Sequence, residues 1–189
     1  GLMVFFLTAV SSFASPINWA DTLLGVSSEA KPKRFPEQAF KGYQALGAPS
    51  VMPDFGFTPA AWMPDLTRKS IEWLKVGFSN PQRISQVSIH ENINPGAISK
   101  VYIYDENKGE HLIYNNLNPA PIQELGRVFN IFIPKTSLKI NAVKIELITM
   151  EYNDYYQIDA VGISDNSDSA RVNINLPKDV VYQSHKENL

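Results

Sequence analysis

Apolar residues recur at every second position in short runs, and nearly every run is ended by Pro, Gly or Asn. Leu74, Val76 and Phe78 alternate with Lys75 and Gly77 before Asn80-Pro81. Val87 and Ile89 alternate with Gln86, Ser88 and His90, and Asn94-Pro95-Gly96 then turns the chain. Val101 and Ile103 alternate with Lys100, Tyr102 and Tyr104, and residues 105–109 read as a hairpin loop into 111–115. Phe129, Ile131 and Ile133 stop at Pro134; Val143, Ile145, Leu147 and Thr149 follow, and 156–164 closes the series. A period of two turns one side of each segment to a core, and no helix-length pattern lies between segments to form βαβ units. The expectation is an all-β fold, an antiparallel β-sandwich. The 13 prolines fit it, because they punctuate the strands rather than interrupt them.

The two ends differ from this middle. Residues 1–10 are apolar and uncharged, and the first ionisable side chain is Asp21. Such a run is too short for a bilayer span, which needs roughly twenty residues. It suits the remnant of a signal peptide, with a small-x-small cleavage pattern at Ser12-Phe13-Ala14. The alternative is a buried first strand. With the signal reading, 1–14 is leader, 15–164 is the module, and 165–189 is a linker or the start of a following domain. Residues 17–36 read as irregular, and Glu37 to Leu46 as one short helix stopped at Gly47.

Composition removes several functions. Seventeen Lys and Arg against nineteen Asp and Glu give a net charge of −2, no footprint for a nucleic-acid backbone. The absence of cysteine excludes disulfides, thiolate nucleophiles, Cys-ligated metals and a lipobox anchor. No Gly-x-Ser-x-Gly, Ser-x-x-Lys or phosphate-cradling glycine motif occurs. His90-Glu91 begins like a zincin helix, but Asn94 stands where the second His belongs, and the three histidines are scattered. A lone His on a polar strand face is ordinarily solvated. An enzyme is not expected.

The aromatic loops are more informative. Segment 53–65 carries Phe55, Phe57 and Trp62 among turn residues, and segment 151–157 carries Tyr152, Tyr155 and Tyr156. Rings beside amides and carboxylates suit the stacking and hydrogen bonding with which sandwich loops hold sugars or peptides. The rings have a second reading, as plugs closing the sandwich end. The plug is favoured for Trp62, and Tyr152 and Tyr155 suit either role. The candidate binding surface is Trp62, His90, Glu91, Asn92, Asn94, Tyr152 and Tyr155, the aromatics stacking and the others hydrogen-bonding.

Several stretches resemble a known superfamily. Gln44-Ala45-Leu46-Gly47, Thr58 to Trp62, Glu72-Trp73-Leu74-Lys75-Val76-Gly77-Phe78 with Pro81, and Ile84 to Ile89 resemble discoidin or galactose-binding-like domains. Asn94-Pro95-Gly96-Ala97-Ile98, Val101-Tyr102-Ile103-Tyr104-Asp105 and Ile158-Asp159-Ala160-Val161-Gly162 are similar to the N-terminal module of Bacteroidetes OmpA-family proteins. There, β-propeller repeats and a peptidoglycan-binding OmpA-type domain follow the module. The resemblance runs from Trp19 to Ser164 and implies a jelly-roll sandwich serving adhesion or glycan binding. It also implies an exported, periplasmic or outer-membrane location, with membrane association only through the rest of the protein. The partner would be a glycan or an envelope protein. Rival expectations are a scaffold domain without soluble ligand and an accessory domain of a glycoside hydrolase.

Many such modules hold a structural calcium, and the matching positions are Asp54, Thr58 and Asp159, with the carbonyl of Leu46 as a further oxygen. The spacing departs from the superfamily, in which Asp-Gly is closely followed by Thr-x-Trp. Here an aromatic stretch separates Asp54 from Thr58, and three residues separate Thr58 from Trp62.

Overall fold

The computed structural model describes residues 16–31, 33–50, 54–65, 71–149, 155–166 and 182–184. The leader reading of 1–14, most of 165–189 and Tyr152 therefore lie outside the described residues.

The described chain is all-β apart from one 3-10 helix, Gly42–Ala45. The strands are β1 (Asn18–Trp19), β2 (Thr22–Val26), β3 (Ile71–Gln82), β4 (Gln86–Ile93) and β5 (Ile98–Asp105), then β6 (Glu110–Asn115), β7 (Arg127–Phe132), β8 (Ile140–Ile148), β9 (Gln157–Ser164) and β10 (Tyr182–Ser184). One sheet has the order β1-β9-β4-β7-β10 and the other β2-β3-β8-β5-β6. Chain neighbours thus often lie in opposite sheets, as in a jelly roll. All pairings are antiparallel except that of β10 with β7, where Tyr182 to Ser184 lie opposite Asn130 to Phe132.

Alternation fills the space between the sheets. Val87, Ile89, Phe129, Ile131, Val161 and Ile163 from the first sheet meet Leu74, Val76, Val101, Ile103, Val143 and Ile145 from the second in one buried cluster. The outward side of the first sheet is also closed. Gln86, Ser88, His90 and Asn92 of β4 are all buried, and Gln86 Nε2 donates across the strands to Asn130 Oδ1 at 2.7 Å.

Two expectations are corrected by the fold. Residues 17–36, read as irregular, contain β1 and β2. The second is an edge strand whose register shifts between Leu23 and Gly25, which breaks the period that would have revealed it. The helix expected over 37–46 reduces to turns and the 3-10 helix. Phe40 sits at φ 63 with its ring fully buried beside Ala39 and Met63, so burial of one ring overrides the helical path. Gly47, at φ 85, does take the left-handed stop. At the β4–β5 turn Asn94 has φ 47 and Gly96 φ 114. A Cβ on Gly96 would lie 2.2 Å from the Ala120 carbonyl oxygen, so this turn requires glycine.

Candidate ligand-binding site

The end of the sandwich where β4 finishes and β7 and β9 begin carries loops 54–60, 94–97, 116–126 and the approach to β9. Loop 54–60 is fastened there by buried amides. Gln157 Oε1 accepts from Thr58 N at 3.0 Å and from Asn92 Nδ2 at 2.9 Å, while Gln157 Nε2 donates to Thr58 O at 2.7 Å. Asn92 Nδ2 also donates to Gly56 O, and Gly56 N donates to Asn92 O, both at 2.7 Å. Phe55 packs on Gly126, where a Cβ would come within 2.6 Å of its ring.

This clamp holds Phe57 outward. Its ring, 41% exposed, stands 5.3 Å from Tyr155, 5.8 Å from Phe35 and 5.3 Å from Phe40. Tyr155 is 47% exposed and Phe35 39% exposed, over a fully buried Phe40. Asn94 Nδ2 donates to the Tyr155 carbonyl at 3.0 Å and fixes the approach to β9. The outcome is a surface of three adjoining rings with an amide beside it.

The other predicted site residues form the support of this surface. Trp62 has no exposure: it plugs the end, Nε1 donating to Ser28 O at 3.1 Å and its backbone exchanging two 3.0 Å hydrogen bonds with Ile158. His90, expected on a solvated face, is buried edge-on to Trp19 with ring centroids 5.2 Å apart. Neither of its ring nitrogens has a hydrogen-bond partner, and burial pushes its pKa down to about 4. Glu91 is buried too, accepting from Gly96 N at 3.0 Å and pairing with Arg127, whose guanidinium lies 4.3 Å over the Phe129 ring. As drawn from sequence the surface is therefore corrected. Stacking by Trp62 and direct contacts from His90, Glu91 and Asn92 would need side chains that the fold encloses: Trp62 plugs the sandwich end, His90 packs against Trp19, Glu91 pairs with Arg127, and Asn92 is tied to Gly56 and Gln157. Tyr155 and Asn94 remain near solvent. Phe57 and Phe35 complete the face; Phe57 belonged to the aromatic loop already singled out, whereas Phe35, in a stretch read as irregular, gave no signal of its own.

Two of the three oxygen residues proposed for calcium, Asp159 and Thr58, have other partners. Asp159 accepts from Ser50 N at 2.7 Å and from Ser50 Oγ at 2.6 Å. Thr58 Oγ1 accepts from Ala60 N at 3.1 Å, and Asp54 is exposed. Among the described residues no group of three or more His, Asp or Glu could hold a metal ion. The donor set at Asp159 is an amide and a hydroxyl, the arrangement of a carboxylate bracing a loop.

By sequence, no family model matches the chain and no curated protein matches it. Solved structures do match in fold. Chitosan-binding module 1 of a chitosanase/glucanase from Paenibacillus sp. IK-5 superposes with TM-score 0.50 at 9% identity, over 80% of this chain and 95% of that one. A chain in the structure of reduced XRCC1 bound to the DNA pol beta catalytic domain gives TM-score 0.55 at 12% identity, over 78% and 97%. CpGH89CBM32-5 from Clostridium perfringens, in complex with GalNAc-β-1,3-galactose, gives 0.50 at 11% identity, over 74% and 92%. The likeness is one of fold.

Proposed function

We propose that this protein is a noncatalytic glycan-binding module, with Phe57 and Tyr155 as stacking rings and Phe35 and Asn94 at their margin. The observation that carries the reading is the pair of exposed rings, 5.3 Å apart, held by a buried amide clamp at the loop end of the sandwich. A sugar ring offers an apolar face to an aromatic one and keeps its hydroxyls for amides and water. Two of the fold neighbours are a chitosan-binding module and a module in complex with GalNAc-β-1,3-galactose. An exported envelope location agrees with the charge-free leader pattern and with the resemblance to OmpA-family modules. A glycan array followed by calorimetry tests the reading: one or more glycans should bind, and Tyr155→Ala or Phe57→Ala should weaken binding at least tenfold while leaving the melting temperature nearly unchanged. Unaltered affinity in both variants would remove the rings from the site.

One observation favours a protein partner instead. Leu117 and Leu125, in the loop from β6 to β7, are exposed, and exposed apolar side chains on a loop suit a protein interface. An array without hits, together with a complex lost on Leu125→Asp, would decide for that reading.

A further inference from the structure

The ring surface does not end at Phe35. That ring stands 5.8 Å from Phe57 and also walls a recess of about 280 Å³. Ala30, Pro36 and Ala39 supply the rest of its apolar lining, and Lys31, Glu37 and Lys41 its charged lining. The walls are set by the chain's own contacts. Ala39 N donates to Pro36 O and Phe40 N to Pro59 O, both at 3.0 Å, and Ala30 N donates to Met63 O at 2.9 Å. Glu29 accepts from Gly42 N at 2.8 Å and from Lys41 Nζ at 3.1 Å, so the Lys41 ammonium is held in place with two protons still to give.

The recess is mixed in chemistry and its charges cancel. Lys31 is balanced by Glu37 in the lining, and Lys41 by Glu29. Of the neighbouring charges, Lys33 and Arg34 in the adjoining turn are matched by Asp54 and Asp65 of the segment that packs behind it. An ion of either sign therefore gains no preference. An apolar ligand would strip water from ammonium and carboxylate groups without replacing the lost hydrogen bonds. A hydroxyl both donates and accepts, so it can receive a hydrogen bond from Lys31 or Lys41 and give one to Glu37. Ala30, Pro36, Ala39 and the Phe35 ring then meet the C–H face of a pyranose. Size points the same way. A pyranose ring has six members, as a phenyl ring has, so one sugar covers about one aromatic side chain. Tyr155, Phe57 and Phe35 in succession, with the recess at Phe35, outrun a monosaccharide.

We propose that this recess is a second subsite of the ring surface, and that the ligand is an uncharged oligosaccharide of two or more residues. One residue stacks at Phe57 and Tyr155, and another is hydrogen-bonded by Lys31, Glu37 and Lys41. The proposal rests on the glycan reading and adds to it the length and neutrality of the ligand. Calorimetry of the full chain tests it, with neutral hexose and N-acetylhexosamine saccharides of one to four residues and uronic-acid oligosaccharides as the charged control. Affinity should rise about tenfold or more from one residue to three, and the neutral series should bind more tightly than the acidic one. Lys31→Ala and Glu37→Ala alter exposed side chains and should leave the melting temperature unchanged. Each should bring the trisaccharide toward the affinity of the monosaccharide, whose own binding stays as it was, whereas Tyr155→Ala should weaken every length. Affinity that is independent of length, that survives the two substitutions together, or that is higher for the acidic series would overturn the subsite and leave the ring surface as the glycan site. Binding lost in the double variant but untouched by Tyr155→Ala would support the recess and overturn the ring surface. No binding of any saccharide would overturn both.

Discussion

Trp62 shows how one residue can be chemically suited to a ligand and still be used by the core. Its ring closes the loop end and its indole N–H is satisfied by the Ser28 carbonyl, so Trp62→Ala leaves a cavity and an unpaired acceptor. We expect a loss of about 3–5 kcal/mol in a urea titration, against less than about 0.5 kcal/mol for Tyr155→Ala at the exposed ring. Asp159 makes a parallel point. Both its oxygens receive donors from Ser50, so a chelator should leave the melting temperature unchanged, and Ser50→Ala should cost about 1.5–3 kcal/mol. A melting temperature that falls with chelator would place a cation at Asp159 after all. Trp and Asp are legible in a sequence as capable of these chemistries. Whether they face solvent depends on neighbours brought from far along the chain, Ser28 for Trp62 and Ser50 for Asp159.

At the scale of elements, the loop carrying Phe57 is ordered by β4 and β9 rather than by its own residues. Asn92→Ala removes the donor shared by Gly56 O and Gln157 Oε1. It should therefore weaken glycan binding as strongly as Phe57→Ala does, although Asn92 itself touches no ligand, and amide exchange over 54–60 should quicken. A variant with normal exchange and weak binding would move Asn92 from support to direct contact. The turn from β4 to β5 is fixed otherwise, by contact between backbones: Gly96→Ala meets the Ala120 carbonyl and should destabilise by about 1–3 kcal/mol. The strands from β3 to β9 were legible because each alternates over several residues. β1 and β2 were not, being respectively too short and too irregular to show a period, and β10, three residues in a stretch expected to be linker, is recruited by backbone pairing with β7.

Across the whole molecule, burial of His90 links stability to pH. Its pKa falls from 6.5 to about 4, so between those values the unfolded chain binds a proton that the folded chain does not. The contribution of the neutral ring is complete above about pH 6.5 and is lost as pH falls toward 4, on the order of 3 kcal/mol. Denaturant midpoints should decline over that window in the native protein and decline less in His90→Gln. Equal slopes would assign the acid sensitivity to other groups. The sequence by itself determined the fold class and most of the strands, because a period of two with Pro, Gly and Asn at the breaks leaves a half-apolar chain few ways to bury its core. Only the tertiary structure decided which polar and aromatic residues meet water. Packing of the other sheet on one face and of Trp19 and loop 54–60 on the other, with β7 and β9 at its edges, enclosed His90, Glu91 and Asn92 of β4, and left Phe35, Phe57 and Tyr155 outside as neighbours, although residues 35 and 155 are remote in the chain.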